Sequence, residues 1–454
     1  MKRILWFRRD LRREDNPLLS LDGEVLPVFI FDTNILEHLE KNDRRVSFIF
    51  QAVLKLKEAL RQKDLDLKVF FGDPVEIFAY LETLGFDEVA ASGDYDAYAR
   101  QRDIRVSHIL HFHYLHDTYI FEPNEILKED GTPYLVFTPF YNKAKAHFSK
   151  QHLSAYAVAK GQRLFGASYE GMTVFKGQQQ TCLPLAIESL GFSENIPNVE
   201  SPKIKLDRLK ETLHTYETDR DCMHKEATSH LSCDLRFGTI SMRAVLRFLA
   251  EQKKQGVKTE PFFRQLVFRD FYAYLLYHFP YLEKENYKYR FKGIENEVKY
   301  DLFCKGMTGV PLVDAGIREL LNTGLMHNRV RMICASFFTK DLLLPWQWGE
   351  AFFAKYLLDY DAASNILSWQ WSAGTGIDPQ PYFRIFNPYM QSKKFDKEAR
   401  YIKKWIPELA FVEAKDLHDE NFLFEHQTEG YPKPVVRHKE AALRALEYFK
   451  GRLK

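Results

Sequence analysis

Over roughly the first 125 residues, short apolar runs alternate with stretches of helical period, and few folds accept that pattern. Runs of strand length stand at residues 4–7, 25–31, 67–71, 88–91 and 118–121. Strands that alternate with helices predict a parallel α/β sheet. Between the second and third runs, Val46, Ile49, Val53, Leu56 and Leu60 recur every three to four residues, the mark of an amphipathic helix. Pro74 stands where a first helical turn tolerates proline, and opens the next helix. Neither a GxGxxG nor a GxxxxGKS/T segment occurs; Gly23, Gly72 and Gly93 stand singly. This half looks like a nucleotide-binding fold without its phosphate loop, and shape alone assigns no function.

From residue 131 to about 205 the pattern loosens into turn residues and a run of glutamines, which reads as a long connector. Beyond it the periods are helical, at 240–252, 262–279, 312–322, 330–344 and 349–358. The expected organisation is an α/β domain over 1–130, an interdomain connector over 131–205 and an all-α domain over 206–454. A chain of 454 residues suits two domains better than one core.

Aromatic residues make up 15% of the chain, which fits either thick helix packing or recognition of flat rings. The formal net charge of +2 announces no polyanion. Its distribution says more. Residues 384–404 carry Arg384, Lys393, Lys394, Lys397, Arg400, Lys403 and Lys404 against Asp396 and Glu398. Such a stretch follows a phosphate backbone or forms a solvated face. The five cysteines are scattered without metal-site spacing, which points to a reduced compartment. The histidines at 108, 111, 113 and 116 cross a helix-to-strand boundary with no thiolate near, so no metal is expected. No apolar run reaches membrane-spanning length, and the N-terminal one is too short for a signal peptide. A soluble, cytoplasmic protein is the expectation.

The chemistry concentrates at residues 359–388, DYDAASNILSWQWSAGTGIDPQPYFRIFNP. If the first part is helical, Asp361, Asn365 and Trp369 share one face. Carboxylate, amide and indole make a poor core surface and a good wall for a polar aromatic ligand; a core helix with satisfied polar groups is the plainer reading. Thr228, Ser229 and Ser232 precede a helix expected to begin near Ser241, where hydroxyls and free N–H groups serve an anion or simply cap. Asn328 and Met332 face one way, suited to a base edge and an apolar ring, or to an N-cap and a packed side chain.

Together with ILWFRRDLRREDNPLL near the start, TSHLSCDLRFGTIS from Thr228, RDFYAYLLYHFP from Arg269 and TGLMHNRVRM from Thr323, this segment resembles the photolyase/cryptochrome family. In detail it is similar to bacterial class I cyclobutane-dimer photolyases, in family order over nearly the whole chain. The resemblance implies an α/β N-terminal domain followed by an all-α FAD-binding domain. It implies repair of ultraviolet-damaged DNA, in which photoexcited reduced FAD gives an electron to a cyclobutane pyrimidine dimer. By the same likeness Thr228, Ser229, His230, Leu231 and Ser232 hold the FAD diphosphate, with Tyr216 and Arg269 beside them. The family usually has Arg where this chain has His230. Arg331 would pair with Asp359, Asp359 and Asp361 would bound the sugar and ring edge, and Asn365 would lie near flavin N5. Trp369 and Trp346 would be the inner members of an electron relay.

On the substrate side, the likeness implies that Asn328 and Met332 contact the pyrimidines, Arg329 a phosphate, and Trp371 the lesion pocket. Gln265 and Phe268 stand where the family has Glu and Trp. Relatives acting on the six–four photoproduct place histidines at 328 and 332, and their absence here points to the cyclobutane dimer, although Gln265 resembles the six–four enzymes. The outermost relay Trp falls on Gly293, leaving Tyr289, Phe291 and Tyr356 as candidates. An antenna chromophore is a family habit in the N-terminal domain; the positions that folate-type members use read Tyr98 and Ala99, with no carboxylate. The alternatives are a cryptochrome-like photoreceptor, for which no signalling tail is evident after the helical pattern at 440–450, and a flavin- or nucleotide-dependent oxidoreductase. A monomer is expected.

Overall fold

The computed structural model describes residues 2–177, 179–196 and 199–453. The chain forms two compact units, one of residues 1–127, 141–211 and 229–270, the other of 128–140, 212–228 and 271–454.

The first unit is built on a sheet. Strands β1 (Lys2–Phe7), β2 (Glu24–Asp32), β3 (Lys68–Gly72) and β4 (Glu88–Ser92) fall on the first four apolar runs of the sequence. Helices cover both faces of such a sheet, so its central strands read as continuous apolar runs. The fifth strand, β5, is His111–Leu115 rather than the run at 118–121. As an edge strand it tolerates the exposed His111 and the half-buried His113. The apolar run after it is buried without a ladder, because the Ile120 and Phe121 N–H groups donate to Asp270 Oδ2 at 2.7 and 3.0 Å.

The segment that reads as an irregular connector contributes a helix, Phe137–His147, and strands β6 (Arg163–Leu164), β7 (Met172–Lys176) and β8 (Gln179–Leu183). The sheet runs β5-β4-β1-β2-β3-β7-β8, with β6 on β2, all parallel except the β7–β8 pair. Every residue of β8 is exposed, so it lacks the apolar alternation that reveals a strand. The two expected helices are Arg44–Arg61, capped by Asp43, and Pro74–Thr83, capped by Asp73. The arginine-rich loop after β1 is held internally. Arg12 and Arg243 share Asp117, while Asp15 takes Arg243, Arg247 and Ser241.

The second unit is helical: Glu297–Cys304, Pro311–Thr323, Asn328–Ser336, Trp346–Tyr356, Ala362–Ala373, Pro388–Phe395, Arg400–Trp405 and His438–Lys450 are among its helices. Its core gathers Phe303, Ile317, Val330, Phe338, Phe353, Trp369 and Ile402. The helix expected over 330–344 instead widens after Ser336 into a π-type turn, Phe337–Asp341. That turn buries two ionisable side chains. Lys340 donates to the Arg384 carbonyl at 2.7 Å, and Asp341 meets His438 Nδ1 at 2.5 Å. Among the described residues no helix is long and apolar enough to cross a membrane.

Burial opposes a charge on His438, but the hydrogen bond and charge of Asp341 outweigh it and raise the imidazole pKa above its usual value. A raised histidine stabilises fully below its unfolded pKa, and the gain fades as pH rises through the folded value. The stability gap between the wild type and His438→Gln is therefore expected to be widest near pH 6 and to narrow toward about pH 8.5. Lys340, pushed down to about 7 by burial, titrates in both proteins. Urea titrations at the two pH values check this; a constant gap counts against it.

Candidate functional site

In the first unit the serine-rich loop closes on itself, with the Leu231 N–H 3.3 Å from Ser229 Oγ. His230, between them, takes the left-handed conformation (φ 51°) and is exposed. The helix after this loop begins earlier than the sequence suggests. A short helix, Ser232–Phe237, precedes the Ser241-capped helix Met242–Lys254, so Ser232 lies in its first turn.

Arg269 sits on the helix Glu260–His278 and donates to the carbonyls of Thr118 (2.8 Å) and Leu235 (3.0 Å), with its guanidinium 4.4 Å from the Tyr119 ring. It thus ties the run after β5 to the short helix. Beside it, burial pushes the Asp270 carboxyl up to about 7, against the pull of Arg269 and two backbone N–H groups. Gln265 and Phe268, both half-buried, lie four residues and one residue before Arg269 on this helix. The i, i+3, i+4 spacing puts all three on one side of it. A separate cavity of about 230 Å3, lined by Leu11, Phe48, Leu56 and Asp234 among others, touches none of the expected site residues.

In the second unit Asn365 and Trp369 lie on the helix Ala362–Ala373, and Asp361 stands just before it. Asp361 caps the helix Ala362–Ala373, accepting from Ser364 N at 3.1 Å. Asn365 is buried, and its Nδ2 donates to the Glu350 carbonyl (3.1 Å) and carboxylate (2.9 Å). Both amide hydrogens are thus committed, and Oδ1 is left as an acceptor. Burial raises the Glu350 pKa, with the Asn365 and Tyr360 hydrogen bonds acting against it.

Trp369 is wedged edge-on between Phe338 and Phe353, at ring distances of 5.4 and 4.9 Å. Gly349, on the helix Trp346–Tyr356, presses against its ring: a Cβ there would lie 2.2 Å from Trp369 Cη2. Trp346 is buried and donates to Asn286 Oδ1 at 2.8 Å. Trp371, two residues past Trp369, is half-buried on another face.

At Gly293, φ is +77° and a Cβ would stand 2.5 Å from Pro345 N, so no side chain fits. Of the aromatic candidates, Tyr289 stacks on Phe291 at 5.0 Å. Tyr356 is joined to Trp369 through Phe352 and Phe353, at successive ring distances of 5.0, 6.4 and 4.9 Å.

The helix Asn328–Ser336 carries the next group. Its cap is His327, whose Nδ1 accepts from Arg329 N at 3.2 Å, and not Asn328. Burial drives the His327 pKa down to about 4, so the imidazole keeps the lone pair that capping needs. The His327 N–H donates to Glu319, which also accepts from the Tyr401 hydroxyl. Asn328 is exposed, with its Nδ2 3.8 Å from Met332 Sδ. Arg331 donates to the Met326 carbonyl at 2.8 Å and to both Asp359 oxygens at 2.9 and 3.1 Å, which forms the expected pair. Arg329, read as a phosphate contact, is matched by Asp221 at 2.5 Å and lies over Phe395. Tyr216 is buried in this unit, with the Arg220 guanidinium 5.8 Å from its ring, and Thr228 is half-buried.

The stretch 384–404 exposes Arg384, Lys393, Lys394, Lys397, Arg400 and Lys404. Of its two acidic residues, Asp396 is buried and accepts from Tyr401 N and Ile402 N at 3.0 and 3.1 Å, while Glu398 pairs with Arg400. The outward charge is therefore more one-sided than the sequence count suggests.

Glu350, Glu319, His327 and Asp221 went unread in the sequence. Each acts through a partner on another element, and no spacing rule reports such a pair. For Asn365, the donor set fits a ligand that presents an N–H to a buried carbonyl oxygen.

Residues 3–158 match the family model described as DNA photolyase, and residues 262–451 match the FAD binding domain of DNA photolyase. The chain is 34% identical to the deoxyribodipyrimidine photo-lyase of Alkalihalophilus pseudofirmus, over 99% of this chain and 98% of that protein. In structure it is similar to a class III photolyase from Agrobacterium tumefaciens (TM-score 0.84, 30% identity, 99% and 97% covered). It is also similar to an archaeal photolyase from Sulfolobus tokodaii with two FAD molecules (TM-score 0.81, 30% identity, 99% and 100% covered).

Proposed function

Because the chain belongs to the DNA photolyase family, we propose that the residue groups described above hold FAD and an extruded pyrimidine dimer in the roles their chemistry allows. The enzyme repairs DNA in the light, splitting cyclobutane pyrimidine dimers, and uses FAD. When bound, FAD supplies the absorption of light and the electron that opens the dimer.

The observation that carries the residue assignments is the Asn365–Glu350 pair. Glu350 fixes the amide so that Oδ1 accepts a hydrogen bond from the isoalloxazine edge, and a reduced ring offers such a donor. Asp359, with Arg331 holding it, and Asp361 border the same group. The diphosphate falls to Thr228, Ser229, His230, Leu231 and Ser232, with Tyr216 and Arg269 as neighbours. Trp369 and Trp346 conduct the electron that restores the reduced state, from an external reductant. On the substrate side, Asn328 and Gln265 offer hydrogen bonds, while Met332, Phe268 and Trp371 offer apolar and ring faces.

Asn365→Ala is expected to slow photoreduction of the bound flavin by about tenfold or more, with DNA affinity kept. Glu350→Ala, which frees the amide to turn, should fall between that variant and the wild type. Stopped illumination with absorbance readout decides it, and unchanged rates in both variants defeat the assignment.

The exposed basic residues of 384–404 bind phosphate through counterion release. Replacing Lys393, Lys394 and Lys397 by Ala should flatten the slope of log K against log salt by about one unit for each phosphate no longer neutralised. The preference for damaged over undamaged duplex should survive. An unaltered slope places the DNA elsewhere.

For the activity itself, the reduced protein is illuminated with ultraviolet-damaged oligonucleotides, and the two photoproducts are scored separately. Cyclobutane dimers should disappear and six–four products persist, because Asn328 and Met332 replace histidines that the latter chemistry employs. Dimers that survive illumination refute the reading. A cytoplasmic monomer belongs to the same proposal, supported by five cysteines that are all thiols.

A further inference from the structure

Glu125, His147 and His152 belong to none of the groups above and to no run the sequence singled out, yet they bring three ligand atoms within 4.8 Å of one another. We propose that they form a binding site for a divalent transition-metal ion of the zinc type.

His147 Nε2 and His152 Nε2 lie 2.8 and 3.1 Å from the same oxygen, Glu125 Oε1. These separations approach the edge, about 3.3 Å, of a tetrahedron whose centre is about 2.0 Å from its N and O ligands. The other carboxylate oxygen is occupied, because Glu125 Oε2 accepts the Glu122 N–H at 2.9 Å. That bond fixes the carboxylate and presents one oxygen to the ion.

His152 is held by its surroundings. Phe148 stacks on its ring at 5.4 Å and Phe121 meets it edge-on at 5.1 Å. Its side chain is 7% exposed, against 40% for His147, so the trio is closed on one side and open to water on the other. An open fourth position is what a three-ligand site requires. Two imidazoles and one carboxylate favour zinc, cobalt, nickel or copper over magnesium or calcium.

Proton placement must also balance. Without metal, His152 Nδ1 accepts from Ser149 N at 3.1 Å, so the ring proton sits on Nε2 and points at Glu125. Ligation through Nε2 moves that proton to Nδ1, where Ser149 Oγ, 3.3 Å away, accepts it. The imidazole turns toward Ser149 Oγ and away from the Ser149 N–H, which lies on an exposed residue and is left to water.

The test uses the full-length, FAD-loaded protein, stripped with a chelator and titrated with Zn2+ by calorimetry and with Co2+ by visible absorption. The wild type should take up one tightly held equivalent and give the intense ligand-field bands of four-coordinate cobalt. His147→Ala, at an exposed position, should weaken uptake at least about tenfold and erase those bands, with flavin absorbance unchanged. Glu125→Gln should do the same. Equal uptake by the wild type and His147→Ala, or no uptake by the wild type at millimolar metal, overturns the proposal; neither result bears on the flavin assignments.

Discussion

Gly349→Val is expected to cost about 3 kcal/mol of folding stability and to strip the protein of its flavin during purification. A Cβ at this position would sit 2.2, 2.4 and 2.9 Å from three atoms of the Trp369 ring. The ring has nowhere to go, being 1% exposed with Phe338 and Phe353 at its edges. The helix Trp346–Tyr356 must therefore shift as a body and carry Glu350 away from Asn365. Helix propensity works in the opposite direction, since replacing a mid-helix glycine by alanine ordinarily gains about 1 kcal/mol. Overpacking of this kind costs about 1–3 kcal/mol, so even Gly349→Ala should come out destabilised. Valine adds a β-branch to the same overlap. Urea denaturation gives the stability, and the ratio of flavin to protein absorbance gives the retention. A Gly349→Ala protein as stable as the wild type would show that the two helices do not touch in the way described.

Arg331→Ala should be nearly as damaging. The guanidinium serves the Met326 carbonyl and both Asp359 oxygens, and the Asp359 side chain is 6% exposed. Removing one partner of a fully buried pair costs about 3–5 kcal/mol because the other charge is stranded. Arg331 itself is 28% exposed, which lets water reach the stranded carboxylate and lowers the expected loss to about 2–3 kcal/mol. Arg331→Lys should recover little, because one ammonium cannot span the carbonyl and the carboxylate with the same fork. Adding Asp359→Asn to Arg331→Ala should recover part of the stability, since it removes the unmatched charge. Strictly additive losses in that double-mutant cycle would mean the two side chains act independently.

Much of this was legible beforehand, for physical reasons that differ by element. Strands β1 to β4 are apolar runs, and the helices Arg44–Arg61 and Pro74–Thr83 fall on the apolar period and the Pro74 start that the sequence shows. Asn365 and Trp369 fell on one helix with Asp361 as its cap because their spacing is local. The failures share a cause as well. Strand β5 hides behind histidines, β8 has no buried residue, and the apolar run at 118–121 is satisfied by a carboxylate 150 residues away. His327 is the cap where Asn328 read as one, and the sequence hid this because histidine is a rare capping residue. The partners that make the candidate site specific, Glu350 to Asn365 and Glu319 to His327, lie on separate helices. Only the folded chain reveals them.

An imidazole that resists protonation until about pH 4 gives the helix bearing Asn328, Arg331 and Met332 an acid reserve. Most histidine-capped turns would begin to loosen in mildly acidic solution, as the lone pair is lost to a proton. Here the helix proposed to face the lesion keeps its cap well below neutrality, so a fall in repair around pH 5–6 would have to originate elsewhere.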